Sequence, residues 1–421
     1  MKFPRSVLIA AALAVVSYIL SPALGGLTKT ASAFHDGGVG YCEGCHSMHN
    51  NFGTGGINNG PVAGKPVGAA GQAAGVYLLL GSDASSTCLN CHSKPPVSVL
   101  SADGSAFTPG GDFFWLTEDV TYTPKAGGVS MSPVTVLGQE HGHNVIAADF
   151  GLTSDTALTV APGSTIRYPA SALACNSCHD PHGQANGGSL AGRQAIAGSG
   201  SYGGTAPGGY QSGNYRLLGD RFYTGNQEFP MTFAYNAPVA VSVPPPFTET
   251  SDNLHHTDYG YGMSEWCANC HDNFLNSTSN SAAVHRHPAG VSALIVKAMA
   301  DIYNSYVKSG NFSGNSSTSY LSLVPFERGL GAVLSNTSTA GPSTAPLANS
   351  MCLSCHRAHA SAFQDMTRWD TQAEFLAQSH PATGDKLNHV FVNNAPYYGR
   401  DIAALYGNYQ RTLCNKCHGQ D

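Results

Sequence analysis

The stretch Cys42-Glu-Gly-Cys45-His46-Ser-Met-His49 contains the motif that decides the architecture of this chain, Cys-x-x-Cys-His. Six copies of the motif occur, and together they contain all twelve cysteines of the 421-residue sequence. The paired cysteines are Cys42 and Cys45, Cys88 and Cys91, Cys175 and Cys178, Cys267 and Cys270, Cys352 and Cys355, and Cys414 and Cys417. The histidines that follow them are His46, His92, His179, His271, His356 and His418.

This motif is the attachment signature of c-type haem, in which the two thiols bond to the haem vinyl groups and the adjacent histidine ligates iron from one face. A disulfide scaffold or a zinc site would also use paired cysteines. Neither alternative explains why a histidine follows every second cysteine. The sequence therefore predicts six covalent haems, attached through the twelve cysteines and ligated by these six histidines.

The composition fits a chain that wraps cofactors rather than one that builds a large core of its own. Charged residues make up 11% of the sequence, and 49 Gly and 24 Pro disfavour long helices. We predict a multihaem cytochrome c fold that is coil-dominated, with few short helices and little strand, in which the haems form the core. The net charge of -6 argues against a nucleic-acid binder, and the mean hydropathy of -0.12 argues against a polytopic membrane protein.

Residues 1–33 have the features of a secretory signal peptide. Two basic residues precede an apolar segment at 7–20, and the small residues Ala31-Ser32-Ala33 form a cleavage site. The apolar segment is shorter than the roughly 20 residues that a membrane-spanning helix needs. We predict export through the periplasm, with residues 34–421 forming one hexahaem domain that is secreted and lies outside the cell or at its surface.

The second iron ligand is expected among the remaining histidines, of which six are needed if every iron has two histidine ligands. Three motifs extend to Cys-x-x-Cys-His-x-x-His, and their last residues are His49, His182 and His359. Residues three apart on a helical turn lie on the same side, whereas a second ligand must approach iron from the opposite face. We predict that each of these three ligates a neighbouring haem rather than the haem attached beside it.

Further stretches accompany the motifs, among them FHDGGV at 34–39, TPGGDFFW at 108–115, GHN at 142–144, CHDPHG at 178–183, RHPAG at 286–290 and CLSCHRAHAS at 352–361. In these stretches the chain resembles the OmcS-type hexahaem cytochromes, outer-surface proteins of metal-reducing bacteria that polymerise into extracellular conductive filaments. The resemblance covers all six motifs and about half of residues 34–421. It implies that the distal ligands are His35, His49, His143, His182, His287 and His359.

The resemblance also implies that the subunits join head to tail. His49 would ligate a haem of the adjacent subunit, and the fifth haem, attached at Cys352 and Cys355, would receive it. The other histidines match no family motif and are expected at the surface or around the ligands; they are His141, His255, His256, His285, His380 and His389.

An electron carrier is the function that these predictions favour. Iron with two histidine ligands has no open position for a substrate, so no catalytic residue is predicted. The expected partners are further copies of the chain, redox partner cytochromes and extracellular acceptors such as metal oxides. Two alternatives remain open: a monomeric periplasmic or extracellular shuttle, and an oxidoreductase with an open haem site.

Apolar periodicity predicts two longer helices, at 291–307 and 401–413. The first would bury a face that begins with Val291 and Leu294, and the second would bury Ile402 and Tyr409. One-turn helices are expected at each motif.

Overall fold

The structure is a computed structural model, and the described residues are 44–46, 61–62, 65–66, 79–95, 98–126, 129–182, 214–241, 257–276, 287–307, 309, 311–315, 324–329, 332, 334, 341–343, 347–382, 384–387, 394–412, 414 and 417. The predicted signal peptide lies outside them. Within the described part of the chain, no helix is both long and apolar enough to cross a membrane.

Irregular backbone dominates the described residues, as the composition predicts. The α-helices are α1 Ala84–His92, α2 Cys175–Cys178, α3 Met263–Cys267, α4 Asp272–Asn276, α5 Lys297–Ser305, α6 Cys352–Cys355 and α7 Ile402–Tyr406. The strands are β1 Pro61–Val62, β2 Lys65–Pro66, β3 Val120–Tyr122, β4 Lys125–Ala126, β5 Val129–Ser130, β6 Val134–Val136, β7 Val239–Val241, β8 Asp258–Tyr261 and β9 Lys386–Leu387. Short 3₁₀ turns connect many of these elements.

The strands form small antiparallel sheets. In the three-stranded sheet, β3 lies between β6 and β9, and Val120 is paired with both Val136 and Leu387. These three side chains are buried, so one face of the sheet packs inward. The other sheets have two strands each and pair β1 with β2, β4 with β5, and β7 with β8.

The helix predicted over 291–307 is shorter in the structure, because α5 begins six residues after the predicted start. The chain before it is extended, and the N–H of Ile295 donates to the carbonyl of Ala348 at 2.8 Å instead of continuing a helix. The predicted buried face is also wrong, since Leu294 is exposed whereas Tyr303 is buried.

The helix predicted over 401–413 is also shorter, and α7 ends at Tyr406. Asp401 caps its start by accepting a hydrogen bond from the N–H of Ala404. Gly407 follows with a φ of 75°, a conformation that only glycine adopts readily, and it ends the helix. The prediction that Tyr409 is buried is wrong, because this side chain is 70% exposed.

The predicted helical turns at the motifs are present where the structure describes whole motifs. α2 and α6 each span one motif from first to second cysteine. α1 contains the second motif, and α3 ends at the first cysteine of the fourth. Each turn places its two thiols on one side, as attachment to one haem requires.

Among the described residues, the apolar side chains pack into three clusters rather than one. Cys355 and Cys417 pack against the largest, Cys267 against the second and Cys270 against the third. The attachment thiols therefore lie along the edges of the packed regions, which is where bound haems would join one cluster to the next.

Candidate haem-binding sites

The attachment thiols of successive motifs lie close together. The Cys88 thiol donates a hydrogen bond to the sulfur of Cys175, and this bond together with burial raises the pKa of Cys88. The Cys45 thiol lies near enough to raise it further. Cys267 and Cys352 are joined by the same kind of hydrogen bond, which raises the pKa of Cys267 and lowers that of Cys352. The second motif therefore lies beside the third, and the fourth beside the fifth.

Two further contacts complete the series. Burial raises the pKa of Cys178, and the nearby thiol of Cys270 raises it further. Burial also raises the pKa of Cys355 to about 12, and the thiols of Cys414 and Cys417 contribute to this rise. The described cysteines of the six motifs thus follow one another in space in the same order as in the sequence.

The third and fifth motifs are held by equivalent hydrogen bonds. The N–H of Cys175 donates to the hydroxyl of Ser85 at 3.0 Å, and the N–H of Cys352 donates to the hydroxyl of Ser264 at 3.0 Å. Each serine lies three residues before the first cysteine of the preceding motif. The second and third sites therefore form one unit, and the fourth and fifth sites form a second unit of the same design.

The two units also match in the hydrogen bonds made by the histidines of the third and fifth motifs. His179 donates from Nδ1 to the carbonyl of Arg216 at 2.7 Å, and His356 donates from Nδ1 to the carbonyl of Asp365 at 2.9 Å. Arg216 and Asp365 both have left-handed backbone, with φ of 50° and 55°. Because this conformation is uncommon outside glycine, its recurrence at matching places indicates that it aims the carbonyl at the imidazole.

Histidine rings from different motifs face each other in pairs. An iron ligated by both Nε2 atoms at about 2 Å would hold the two ring centroids about 6 Å apart. The pairs, with centroid separation and interplanar angle, are His46 and His182 (6.2 Å, 15°), His143 and His271 (6.0 Å, 35°), and His179 and His359 (6.2 Å, 60°). All three separations fit an iron between the rings.

Backbone carbonyls fix the tautomer of several of these histidines. A carbonyl can only accept, so a histidine bonded to it through Nδ1 carries its hydrogen there and leaves Nε2 for a metal. The pairs are His143 with Ala358 (2.7 Å), His179 with Arg216 (2.7 Å), His271 with Pro162 (2.7 Å), His287 with Pro288 (2.8 Å) and His356 with Asp365 (2.9 Å).

Burial favours the neutral form of several of these imidazoles. It lowers the pKa of His143 to about 4 and that of His359 to about 3, with neighbouring histidines adding to the effect. Burial also lowers the pKa of His179, His271 and His356. A neutral imidazole is the form that ligates a metal, so the donor set is suited to haem iron at neutral pH.

The chain was compared with proteins of known family and structure. No protein-family model matches it. The C-type cytochrome OmcS of Geobacter sulfurreducens is 40% identical over 437 aligned positions, which cover 93% of this chain and 95% of that protein. This chain belongs to the OmcS family of c-type cytochromes. Because c-type cytochromes bind haem covalently through this motif, the predicted family and the covalent haem are confirmed.

Solved structures of the family have the same fold. A cryo-EM structure of OmcS nanowires from Geobacter sulfurreducens matches with a TM-score of 0.68 and 35% identity, covering 92% of this chain and 100% of that chain. A structure of the outer-membrane cytochrome S filament from the same organism matches with a TM-score of 0.67 and 37% identity, and it also covers 92% of this chain and 100% of that chain. The predicted coil-dominated multihaem fold is therefore confirmed for this OmcS-family cytochrome.

Several predicted site residues lie outside the described part of this OmcS-family chain: Cys42, His35, His49, His418, and the histidines at 255, 256, 285 and 389. Among the other predicted ligands, His92 ends α1 and His287 is exposed. His356 has its Nδ1 bonded to Asp365, and no histidine ring of the described residues faces it as the three pairs do.

Two histidines without a family motif lie among the described residues. His141 is fully buried and lies 6.4 Å from the ring of Trp115, so of the two positions predicted for this group it does not take the surface one. His380 is half-buried, with Nδ1 at 2.6 Å from Asp385 and its ring stacked on Tyr122. Neither ring faces another described histidine across the 6 Å that two iron ligands require.

Sequence reasoning missed three functional candidates. Phe113 stacks on the ring of His359 at 4.7 Å. Arg357 and Arg368 are buried beside the fifth motif, and Arg357 lies over the ring of Tyr398 at 3.9 Å. Burial lowers the pKa of Arg357 to about 9, and the nearby Arg368 lowers it further. The arginine directly after a Cys-x-x-Cys-His motif was the available signal for this cluster.

Proposed function

We propose that this chain carries electrons outside the cell through six covalent haems, each ligated by two histidines, as the protomer of a cytochrome filament. The observation that carries the proposal is the facing of His46 with His182, and of His179 with His359, each pair joining motifs two places apart. Each bound haem would take up and release one electron at its iron. The OmcS filament structures support the polymeric state.

The protein residues hold the cofactors in sequence and close both faces of each iron. Twelve cysteines would fix the attachment points, and the contacts among those that the structure describes follow the order of the motifs. Paired imidazoles would exclude substrates from the iron, because no coordination position remains open. We therefore assign electron transfer rather than catalysis to this chain.

The number of motifs that separate a distal histidine from the haem it would ligate predicts how subunits join. His182 belongs to the third motif and faces His46 of the first, whereas His359 belongs to the fifth and faces His179 of the third. The same backward step of two motifs, applied to His49 of the first motif, leads to the fifth motif of the preceding copy. We propose that His49 ligates the haem at that copy's fifth site.

The remaining assignments follow from this rule. His143, which faces His271, would complete the fourth site. His35 and His287 would then serve the second and sixth sites, whose proximal ligands are His92 and His418. This distribution uses each of the six predicted distal ligands once.

The arginines beside the fifth motif would balance the charge of haem propionates. Arg357 and Arg368 are buried, and Arg368 acts electrostatically on the thiol of Cys355. Buried cations are costly unless an anion lies close. A haem attached at this motif has two carboxylates, and we propose that the guanidinium groups hold them.

Residues 1–33 would direct export and be removed, and residues 34–421 would fold around the haems. Redox partner cytochromes would supply electrons at one end of the polymer. Extracellular acceptors such as metal oxides would receive them at the other.

The proposal is tested by electron microscopy of protein sheared from the cell surface, with haem staining of the same fraction. We expect haem-positive filaments from the natural sequence. His49→Ala should give dispersed particles in which one haem per chain is high-spin by EPR, because the fifth site lacks its second ligand. His380→Asn is the matched control, since its amide nitrogen can replace Nδ1 toward Asp385, and it should leave filaments intact. Dispersed particles from the natural sequence with every haem low-spin would identify a monomeric shuttle.

A further inference from the structure

The imidazole of His359 is held in a different way from those of His143 and His179. Its Nδ1 is buried and makes no well-formed hydrogen bond within the described residues, although the backbone of Gly111 is close enough to raise the pKa of the ring. In contrast, Nδ1 of His143 and of His179 donates to a carbonyl at 2.7 Å. With only the Gly111 backbone as a poorly aligned partner for Nδ1, packing contacts also set the rotation of the His359 ring.

The ring of Phe113 occupies the position from which it can do this. It stacks on His359 with a centroid separation of 4.7 Å and an interplanar angle of 21°. Phe113 is only 3% exposed and begins a 3₁₀ helix whose N-cap is Asp112, so its own position is fixed by the fold. A Cβ added at Gly110 would lie 2.9 Å from Nδ1 of His359, so the ring packs closely against the Gly110 backbone on the side where glycine leaves space.

The angle between the paired rings differs from site to site. It is 60° between His179 and His359, but 15° between His46 and His182. The relative orientation of two axial imidazoles determines how the iron d orbitals split. Near-parallel rings give a rhombic low-spin EPR signal, whereas steeply inclined rings give a more anisotropic one and a less negative reduction potential.

We propose that Phe113 is a positioning residue for His359 and that it sets the steep ring angle at the third haem site. The proposal rests on the proposed bis-histidine ligation. It gives the third site an EPR signature and a potential that differ from those of the first. The lack of a well-formed Nδ1 hydrogen bond acts in the same direction, because such a bond raises the basicity of a ligand imidazole and would make the potential more negative.

The test is low-temperature EPR of the haem-loaded ferric protein, comparing Phe113→Leu with the natural sequence. Leucine keeps the site apolar but removes the flat surface against which His359 packs. We expect one low-spin signal out of six to move toward a more rhombic form, while the other five stay in place. A potentiometric titration should show one haem shifted to a more negative potential.

Two variants separate positioning from simple packing. Phe114→Leu is the matched control, because Phe114 is 5% exposed and packs against Trp115 rather than against a ligand histidine. It should leave all six signals unchanged. Phe113→Tyr keeps the aromatic ring and should restore the natural spectrum.

An unchanged spectrum for Phe113→Leu would overturn the proposal, as would equal changes in Phe113→Leu and Phe114→Leu. If the proposed function itself were wrong, the EPR spectrum of the natural sequence would already lack six low-spin bis-histidine signals.

Discussion

His143 and His359 are joined through the backbone, although their rings face two different proximal histidines. The N–H of His143 donates to the carbonyl of His359 at 2.9 Å, and Nδ1 of His143 donates to the carbonyl of Ala358 at 2.7 Å. Their rings face His271 and His179 respectively. The distal ligands proposed for the third and fourth haems therefore share one support, and a distortion of either segment should reach both sites.

Gly142→Ala should disturb two haems at once. A Cβ at this position would lie 2.3 Å from the carbonyl oxygen of His359, which no real Cβ contact tolerates, so the two segments must separate. We expect two high-spin haems per chain by ferric EPR, compared with one for His143→Ala. Gly151→Ala is the control, because a Cβ there meets no atom within 4 Å and only its φ of 75° adds strain, about 1 kcal/mol. A Gly142→Ala protein with six low-spin haems would contradict the shared support.

Alanine variants should distinguish histidines that ligate iron from a histidine that is only buried. His182→Ala and His359→Ala should each convert one haem to the high-spin form, because each removes one ring of a facing pair. His141→Ala should leave all six haems low-spin, although loss of a fully buried ring should lower the free energy of unfolding by about 2–4 kcal/mol. Ferric EPR and thermal unfolding distinguish these results. A high-spin haem in His141→Ala would mean that the ring-pair criterion selects the wrong ligands.

The sequence predicts which residues act at the haem sites better than it predicts which distant segments hold those residues in place. The Cys-x-x-Cys-His motifs predict haem attachment and proximal ligation directly, because both functions reside in five consecutive residues. The three-residue spacing of His179 and His182 predicts that the second ring serves another site, and its ring lies 6.2 Å from that of His46. These inferences need only local geometry.

Features that depend on distant segments were not predictable. The backbone of 291–296 looks helical from its apolar spacing, but 291–292 lie in a turn and pairing with residues near Ala348 holds the chain after it extended. His141 has no motif to mark it, and only the packing of the chain buries it. The stacking of Phe113 on His359 joins residues 246 positions apart, a separation that no periodicity within the sequence reports.

The two equivalent units should respond equally to loss of their serine hydroxyls. Ser85→Ala and Ser264→Ala each remove the acceptor of a cysteine N–H, at 3.0 Å in both cases. Leaving such a group unsatisfied costs about 1–3 kcal/mol, and the double variant should show the sum because the two serines share no partner. Thermal unfolding of the haem-loaded proteins measures this, with the exposed Ser305→Ala as control. Unequal effects would mean that the two units are not energetically equivalent.

The stability of the fold should fall as pH rises through the range in which Glu327 titrates. Glu327 is fully buried and accepts a hydrogen bond from the N–H of Met263 at 2.8 Å. Burial raises the pKa of this carboxyl from 4.5 to about 7, and the nearby Glu265 adds to the rise. The folded chain therefore binds the proton more tightly than the unfolded chain. Between pH 4.5 and about 7 the unfolded state loses a proton that the folded state keeps, so stability decreases with pH across this window.

Glu327→Gln should remove this dependence. The amide stays neutral at every pH and its oxygen can still accept from Met263. The pKa shift corresponds to about 3 kcal/mol, so relative to the natural sequence the variant should gain up to that amount between pH 4.5 and pH 8. Thermal unfolding of both proteins at a series of pH values gives the difference, and Asp301→Asn, at an exposed ion pair with Lys297, controls for loss of a carboxylate. Parallel curves for the natural sequence and Glu327→Gln would show that Glu327 titrates at its ordinary pKa in the folded protein.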